Sequence, residues 1–252
     1  MRKWSTSTTA IALVTAALSG SVMAKETATK INQKVESYSV GLGATRVIYN
    51  PASSGAVLSV NNPNDYPMLV QSKVFAEDKK SAAPFVITPP LFRLEGHQQS
   101  RIRIVQTGGE VIGDRERLQW LCVTGIPPED GDAWAKGKAP TPKEATLDIK
   151  IKMARCIKLL VRPPSVKGDP LDGVGAVTWK RQGGKLMASN PTPFYLNLKT
   201  LSVGGKEIKQ PDYIPPFGAH TFTLPKGASG TVQWTLITDQ GGDSRPYTAA
   251  LQ

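Results

Sequence analysis

Between Leu147 and Met153, apolar and charged residues alternate without a break. Leu147, Ile149, Ile151 and Met153 take one parity, and Asp148, Lys150 and Lys152 take the other. Successive side chains of an extended chain point to opposite faces, so this segment is a β-strand with one oily and one ionic face. The oily face requires a cover. Directly upstream, Pro127 to Thr146 is rich in Pro, Gly, Lys and Asp and reads as a long flexible loop. Directly downstream come Cys156 and the run Ile157-Lys158-Leu159-Leu160-Val161-Arg162-Pro163-Pro164. A sticky strand beside a long loop is expected to take its cover from another protein.

Strand signals dominate the rest of the chain. Short apolar or alternating runs recur at Thr45–Tyr49, Ala56–Val60, Met68–Val74, Arg101–Val105 and Leu118–Val123, and then from Leu147 to Val161. Asn61-Asn62-Pro63-Asn64-Asp65 and Thr88-Pro89-Pro90 punctuate them as turns. This number and spacing suit a seven-stranded antiparallel sandwich. Pro163-Pro164 through Pro170 forbids continuation of a central strand and reads as an interdomain hinge. Strands resume at Val177–Trp179, Leu186–Ala188, Phe194–Leu198, Thr221–Leu224 and Thr231–Leu236, with Gly204-Gly205 as a hairpin turn. No segment carries a helical period, so the predicted fold is all-β with two sandwiches.

Met1-Arg2-Lys3, an apolar run around Ile11-Ala12-Leu13-Val14, and the small-residue site Val22-Met23-Ala24 together read as a secretory signal peptide. The expected organisation is a signal over 1–24, a first domain over 25–164 carrying the alternating strand, and a second domain over 165–252. No later segment reaches the roughly 18 apolar residues of a membrane span, so no membrane insertion is expected. Removing Arg2 and Lys3 with the signal lowers the formal charge from +11 to +9. Nucleic acid is not an expected partner, because an exported chain rarely meets it and no zinc-finger or single-strand-binding motif is present. The charge reads simply as a solvated surface.

Both cysteines, Cys122 and Cys156, lie in the exported part. In an oxidising compartment an isolated pair is expected to form a disulfide, with two reduced core thiols as the alternative. The bond would staple the base of the 127–146 loop. A metal site is not expected, since only His97 and His220 could join the cysteines. Both histidines stand in turn-like surroundings and read as surface or hinge residues. No Gly-x-Ser-x-Gly elbow or phosphate-cradling loop occurs, and Gly108-Gly109-Glu110 and Gly183-Gly184-Lys185 read as tight turns. The sequence therefore points to no enzyme and no cofactor.

Two sets of charged residues carry alternative readings. Arg46 and Lys158 are lone cations in otherwise apolar strand segments. Pointing into a cleft between the domains, they would form a carboxylate-binding pair; pointing outward, they would be ordinary solvated residues. Glu116, Arg162 and Asp239 would likewise form an ionic cluster if the fold gathers them, or remain solvated near turns if it does not.

Taken in order, several segments resemble the periplasmic chaperones of the chaperone–usher pathway, which assemble bacterial surface fibres. The matching segments are Thr45–Tyr49, Thr88-Pro89-Pro90-Leu91-Phe92-Arg93-Leu94, Asp114-Arg115-Glu116, Gly125-Ile126-Pro127-Pro128, Ile157–Pro163, Asn190-Pro191-Thr192-Pro193-Phe194-Tyr195 and Asp239-Gln240-Gly241-Gly242. Arg117 departs from the pattern, standing where that family has Ser or Thr. The cysteine pair and long loop resemble the branch with an extended connection between the sixth and seventh strands, in particular chaperones of Dr/Afa-type adhesins.

The resemblance implies two immunoglobulin-like β-sandwich domains in an L-shaped arrangement. It implies a periplasmic location, with fibre or adhesin subunits and an outer-membrane usher as partners. By the same resemblance, Leu147, Ile149, Ile151 and Met153 form a donor strand that completes a subunit lacking its own final strand, by β-augmentation. Arg46 and Lys158 match the two cations that hold the subunit's C-terminal carboxylate. Glu116, Arg162 and Asp239 match the interdomain salt-bridge set. Val35, Tyr38, Val40 and Leu42 are expected to add a second strand to the same groove. The free protein's open edge favours self-association. Competing readings are a structural fibre subunit or adhesin and a secreted sandwich lectin. A subunit would carry one incomplete sandwich with an N-terminal donor extension, whereas here the amphipathic strand lies mid-chain.

Overall fold

The computed structural model describes residues 32–108, 113–129, 132, 134 and 146–252. The expected signal peptide, residues 109 and 110 of one predicted turn, and most of the 127–146 loop lie outside the described residues.

Alternating apolar residues fold the first part into ten strands: β1 (Asn32–Tyr38), β2 (Gly41–Leu42), β3 (Arg46–Tyr49), β4 (Ala56–Asn61), β5 (Met68–Phe75), β6 (Phe85–Thr88), β7 (Leu91–Leu94), β8 (Gln99–Gln106), β9 (Arg117–Ile126) and β10 (Thr146–Val161). One sheet runs β1-β10-β9-β5-β7, with β3 also on β10; the other runs β2-β4-β8-β6. Leu58 and Val60, Met68 and Val70, Ile102 and Ile104, and Leu121 and Val123 fill the space between them. In β4, β5 and β8 these are the period-two positions, which is why alternation was readable there. In β9 the core residues Leu121 and Val123 flank Cys122, which bonds to Cys156 directly opposite on β10. The reduced-thiol alternative is thereby excluded.

The N-terminal segment visits both sheets. As β1 it runs parallel to the first half of β10, from Asn32 opposite Thr146 to Tyr38 opposite Lys152. It then crosses to the facing sheet as β2 and returns as β3, parallel to the second half of β10, with Arg46 opposite Lys158. The crossing is tight: a Cβ on Gly125 would collide with the Tyr38 carbonyl. The expectation of a second arm strand is corrected in its residues. Tyr38 and Val40 are buried in the chain's own first core and Leu42 packs against it, which leaves only Val35 of the four exposed.

The second sandwich comprises β11 (Thr178–Gln182), β12 (Lys185–Ser189), β13 (Leu196–Val203), β14 (Lys206–Glu207), β15 (Tyr213–Ile214), β16 (Ala219–Thr223), β17 (Thr231–Leu236) and β18 (Tyr247–Ala250). A three-stranded sheet β11-β12-β16 faces β14-β13-β17-β18, with β15 also on β13. Trp179, Leu186, Leu201, Val203 and Val232 form its core. Gly204 and Gly205 both take positive φ between β13 and β14, the conformation a two-residue hairpin of this twist requires. His220 lies within β16 against Phe222 and Tyr213, not in a turn as its surroundings in the sequence suggested.

Each sandwich uses the same corner. Asn62 donates through Nδ2 to the carbonyls of Tyr66, Leu94 and Glu95, and Asn190 does so to those of Phe194, Ile214 and Pro215. Both asparagines precede a proline and are buried, so one amide side chain satisfies several loop carbonyls that would otherwise be stranded without water. Between the sandwiches, Leu118 and Leu160 of the first pack on Tyr195 of the second, flanked by Ile48, Trp120 and Tyr213.

Candidate functional site

Strand β10 explains how one segment serves two purposes. Its register against β9 is continuous from Met153 to Val161, so every odd residue shares one face. Toward the C-terminal end this face is core: Leu159 and Val161 are buried and Ile157 packs beside them. Toward the N-terminal end the same face carries Met153, Ile151, Ile149 and Leu147, whose exposures run from 39 to 46%. Val35 of β1 lies beside Ile149 and is 58% exposed, and the Ser37 hydroxyl donates to Met153 Sδ at 2.9 Å, placing both β1 residues on this face. The even face remains polar; Lys150 Nζ donates to the Pro128 carbonyl at 2.8 Å. The result is a two-stranded ribbon with an apolar side that continues the core outward.

Even-numbered residues near the other end of β10 face the second domain. Lys158 lies there beside Arg46 on β3, and both point into the cleft rather than toward solvent. Arg46 is only 7% exposed; its Nη1 donates to the Ile237 carbonyl at 3.2 Å, while its buried Nε has no hydrogen-bond partner among the described residues. Lys158 Nζ donates to Asn197 Oδ1 at 2.7 Å and pairs with Asp212 Oδ1 at 3.4 Å. It also lies 4.5 Å from the Tyr213 ring centroid and 5.9 Å from that of Trp120. Burial pushes the Lys158 ammonium down to about 8; the Asp212 carboxylate opposes this, and nearby Arg46 and Lys79 reinforce it. Burial likewise lowers Arg46, against the pull of Asp239 and Glu116.

The second charged set is gathered by the fold. Arg162 Nε donates to Glu116 Oε1 at 2.7 Å, and Arg162 Nη1 pairs with Asp239 Oδ2 at 2.8 Å. The other Glu116 oxygen accepts from the Tyr195 backbone N–H at 2.7 Å. Glu116 and Arg162 belong to the first sandwich side, and Tyr195 and Asp239 to the second, so the cluster ties the two together. Burial raises the Glu116 carboxyl, although Arg162 and the Tyr195 amide pull the other way. For Arg162 burial works against the charge, but its bonds to Asp239 and Glu116 prevail and hold it above its ordinary value.

Sequence reasoning named Arg46, Lys158, Glu116, Arg162 and Asp239, and the fold brings them into one cleft. It missed the groups that enclose Lys158: Trp120, Asn197, Asp212 and Tyr213. Glu77 was missed as well; it accepts from the Tyr213 hydroxyl at 2.8 Å and bridges the domains. None of these has a local signature, since an asparagine or tyrosine in an apolar run reads as a core or edge residue until the second domain is folded against the first.

A pair of β-sandwiches, a cleft lined by buried Arg46 and half-buried Lys158, and an exposed apolar ribbon match the outline of the chaperones that the sequence motifs resemble. Comparison with known families agrees. Residues 39–167 match the N-terminal domain of the PapD pili and flagellar-assembly chaperones, and residues 172–248 match the PapD C-terminal domain. The chain belongs to the PapD family of pilus-assembly chaperones. It is 58% identical to the chaperone protein AfaB of Escherichia coli over 202 residues, covering 79% of this chain and 81% of AfaB. It is 46% identical over 220 residues to the chaperone protein caf1M of Yersinia pestis, with 84% and 85% covered. Among solved structures it resembles the E. coli chaperone DraB, at 54% identity and a TM-score of 0.77, over 88% of this chain and all of that one. It also resembles a chain from the complex of Salmonella enterica SafA pilin with the SafB chaperone, at 49% identity and a TM-score of 0.78, over 88% and 100% of the two chains. The fibre-subunit and lectin readings are set aside by this membership.

Proposed function

We propose that this periplasmic chaperone captures an incomplete fibre or adhesin subunit by lending it the β1–β10 ribbon, and then passes it to an outer-membrane usher. The observation that carries the reading is the continuity of β10. A single strand presents four exposed apolar side chains at one end and a half-buried cation beside a buried arginine at the other. Backbone hydrogen bonds along the ribbon would complete the subunit's sheet, and the alternate side chains would enter its open groove. The four side chains are already more than half covered, so their remaining burial contributes about 3–5 kcal/mol of gross stabilisation, part of which docking consumes.

In this reading Arg46 and Lys158 hold the subunit's terminal carboxylate. The unspent Nε–H of Arg46 and the ammonium of Lys158 supply charge-assisted donors in a poorly hydrated cleft. Anchoring one chain end fixes the register, because a one-residue slip would turn every subunit side chain to the wrong face. Glu116, Arg162 and Asp239 set the angle between the domains and so the shape of the cleft. The first domain is assigned to 25–164 and the second to 165–252. Capture of this kind needs neither catalysis nor a cofactor.

The test is co-expression with the fibre subunit that accompanies the chain from periplasm, identified by mass spectrometry. Arg46→Ala and Lys158→Ala are expected to fold normally yet recover no subunit in pull-downs. Normal recovery by both variants would remove the carboxylate-anchor mechanism.

A further inference from the structure

The cleft already contains a carboxylate. Asp212 lies at the start of the segment leading into β15, and its backbone is pinned by the Leu198 N–H donating to its carbonyl at 3.2 Å. Its side chain, however, is 57% exposed, and its Oδ1 meets Lys158 Nζ at 3.4 Å, beyond a tight charge-assisted contact. Asn197 behaves differently. It is buried, its Nδ2 donates to the Tyr195 carbonyl at 3.2 Å, and its Oδ1 holds the same ammonium at 2.7 Å. Lys158 thus has one fixed neutral acceptor and one loosely held anionic one, with the Tyr213 ring as a third wall.

We propose that Asp212 is an internal stand-in for the guest's carboxylate, neutralising Lys158 in the free chaperone and swinging aside when a subunit's chain end arrives. The idea rests on the anchor role given to Lys158 above and adds the group that competes for it. Asn197 is then a positioning residue that keeps the ammonium aimed into the cleft throughout the exchange. The arrangement meets a specific need, since a buried ammonium without any counter-ion is costly, whereas a counter-ion held too firmly would refuse exchange. An exposed aspartate at 3.4 Å meets both conditions. The charged groups acting on Lys158 from the packed elements are Asp212, Arg46 and Lys79; Glu77 reaches it only through the Tyr213 hydroxyl.

Acetate serves as the probe, titrated at neutral pH and constant ionic strength into the full mature chain carrying lysine labelled at the ε-carbon. The Lys158 resonance is followed by NMR, with circular dichroism checking the fold. Asp212→Asn is expected to bind acetate about fivefold more tightly than the parent, the ratio given by removing one like charge about 4 Å away in a water-like dielectric. The Lys158 titration midpoint should also move down in Asp212→Asn, because its counter-ion is gone, and Lys158→Ala serves to assign the resonance by its loss. Equal or weaker acetate affinity in Asp212→Asn, an unmoved midpoint, or no response of either protein to acetate overturns the inference. Those outcomes are separable from failure of the anchor itself, which would appear as normal subunit recovery by Lys158→Ala.

Discussion

At the scale of single residues, the proposed anchor asks Lys158 to be sheltered from water and yet charged enough to bind an anion. Burial holds its ammonium at about 8, against 10.5 for a free lysine side chain. A carboxylate binds the protonated form, so subunit capture should weaken as pH rises through about 8. Affinity measured between pH 6.5 and 9.5 should fall progressively, and Lys158→Arg should flatten the profile because a guanidinium stays charged. Stability of the empty chaperone has the opposite sign. Between 8 and 10.5 the unfolded chain binds the proton that the native chain has lost, so unfolding becomes less favourable as pH rises across that window. Urea titrations of the free protein at several pH values measure this contribution.

Glu116 is 2% exposed and joined to both domains, so its replacement is a second residue-scale test. Removing one partner of a buried ion pair costs about 3–5 kcal/mol, and Asp239 remains to hold Arg162, so Glu116→Gln should fall near the lower end. Chemical denaturation reads the loss. Small-angle scattering should show a broader distribution of interdomain angles. An unchanged profile would mean that the other interdomain contacts, among them the Leu118–Leu160–Tyr195 packing and the Arg162–Asp239 pair, set the angle without Glu116.

At the scale of elements, the β10 ribbon is the clearest case of legibility. Strict alternation from Leu147 to Met153 revealed the strand, its faces and its lack of cover, because period two is a property of sequence alone. The same rule found β4, β5 and β8. It did not find that β1 lies parallel to β10, since pairing partners far apart in the chain leave no mark on either. For the same reason Tyr38 and Val40 were assigned to the ribbon when they belong to the core: an alternating pattern shows that a face is apolar, not which surface covers it. Asp212, Asn197 and Glu77 were illegible because their roles exist only across the domain boundary.

Two predictions belong to elements. Ile149→Asp and Ile151→Asp alter side chains left 39% and 44% exposed in the free chain, so the melting temperature should fall only slightly while subunit recovery is lost. Recovery at the parent level would show that the ribbon is not the donor. The disulfide joins adjacent strands at the base of the long loop and closes about 35 residues, which in the chain-entropy account stabilises by about 3–4 kcal/mol. The double replacement Cys122→Ser with Cys156→Ser should lower denaturant stability by that order and loosen the β9–β10 pairing, seen as faster amide exchange in residues 146–156.

At the scale of the whole molecule, the free chaperone carries an apolar ribbon whose outer edges meet no further strand among the described residues. Such edges invite pairing with a second copy. Sedimentation velocity at rising concentration should show self-association, reduced by Ile149→Asp and unaffected by changes in the second sandwich such as Lys180→Ala. A strictly monomeric parent would show that the ribbon's charged residues are sufficient protection.

The path of β10 also dictates which way a guest must point. A chain whose last residue docks at Lys158 and which lies along the ribbon toward Leu147 travels in the same direction as β10 itself. Ladders of that polarity are slightly less stable per residue than their antiparallel counterparts. A guest held by the proposed anchor would sit in that second-best arrangement, so a rival segment entering the same groove in the opposite direction would be expected to replace the chaperone downhill, with no nucleotide consumed.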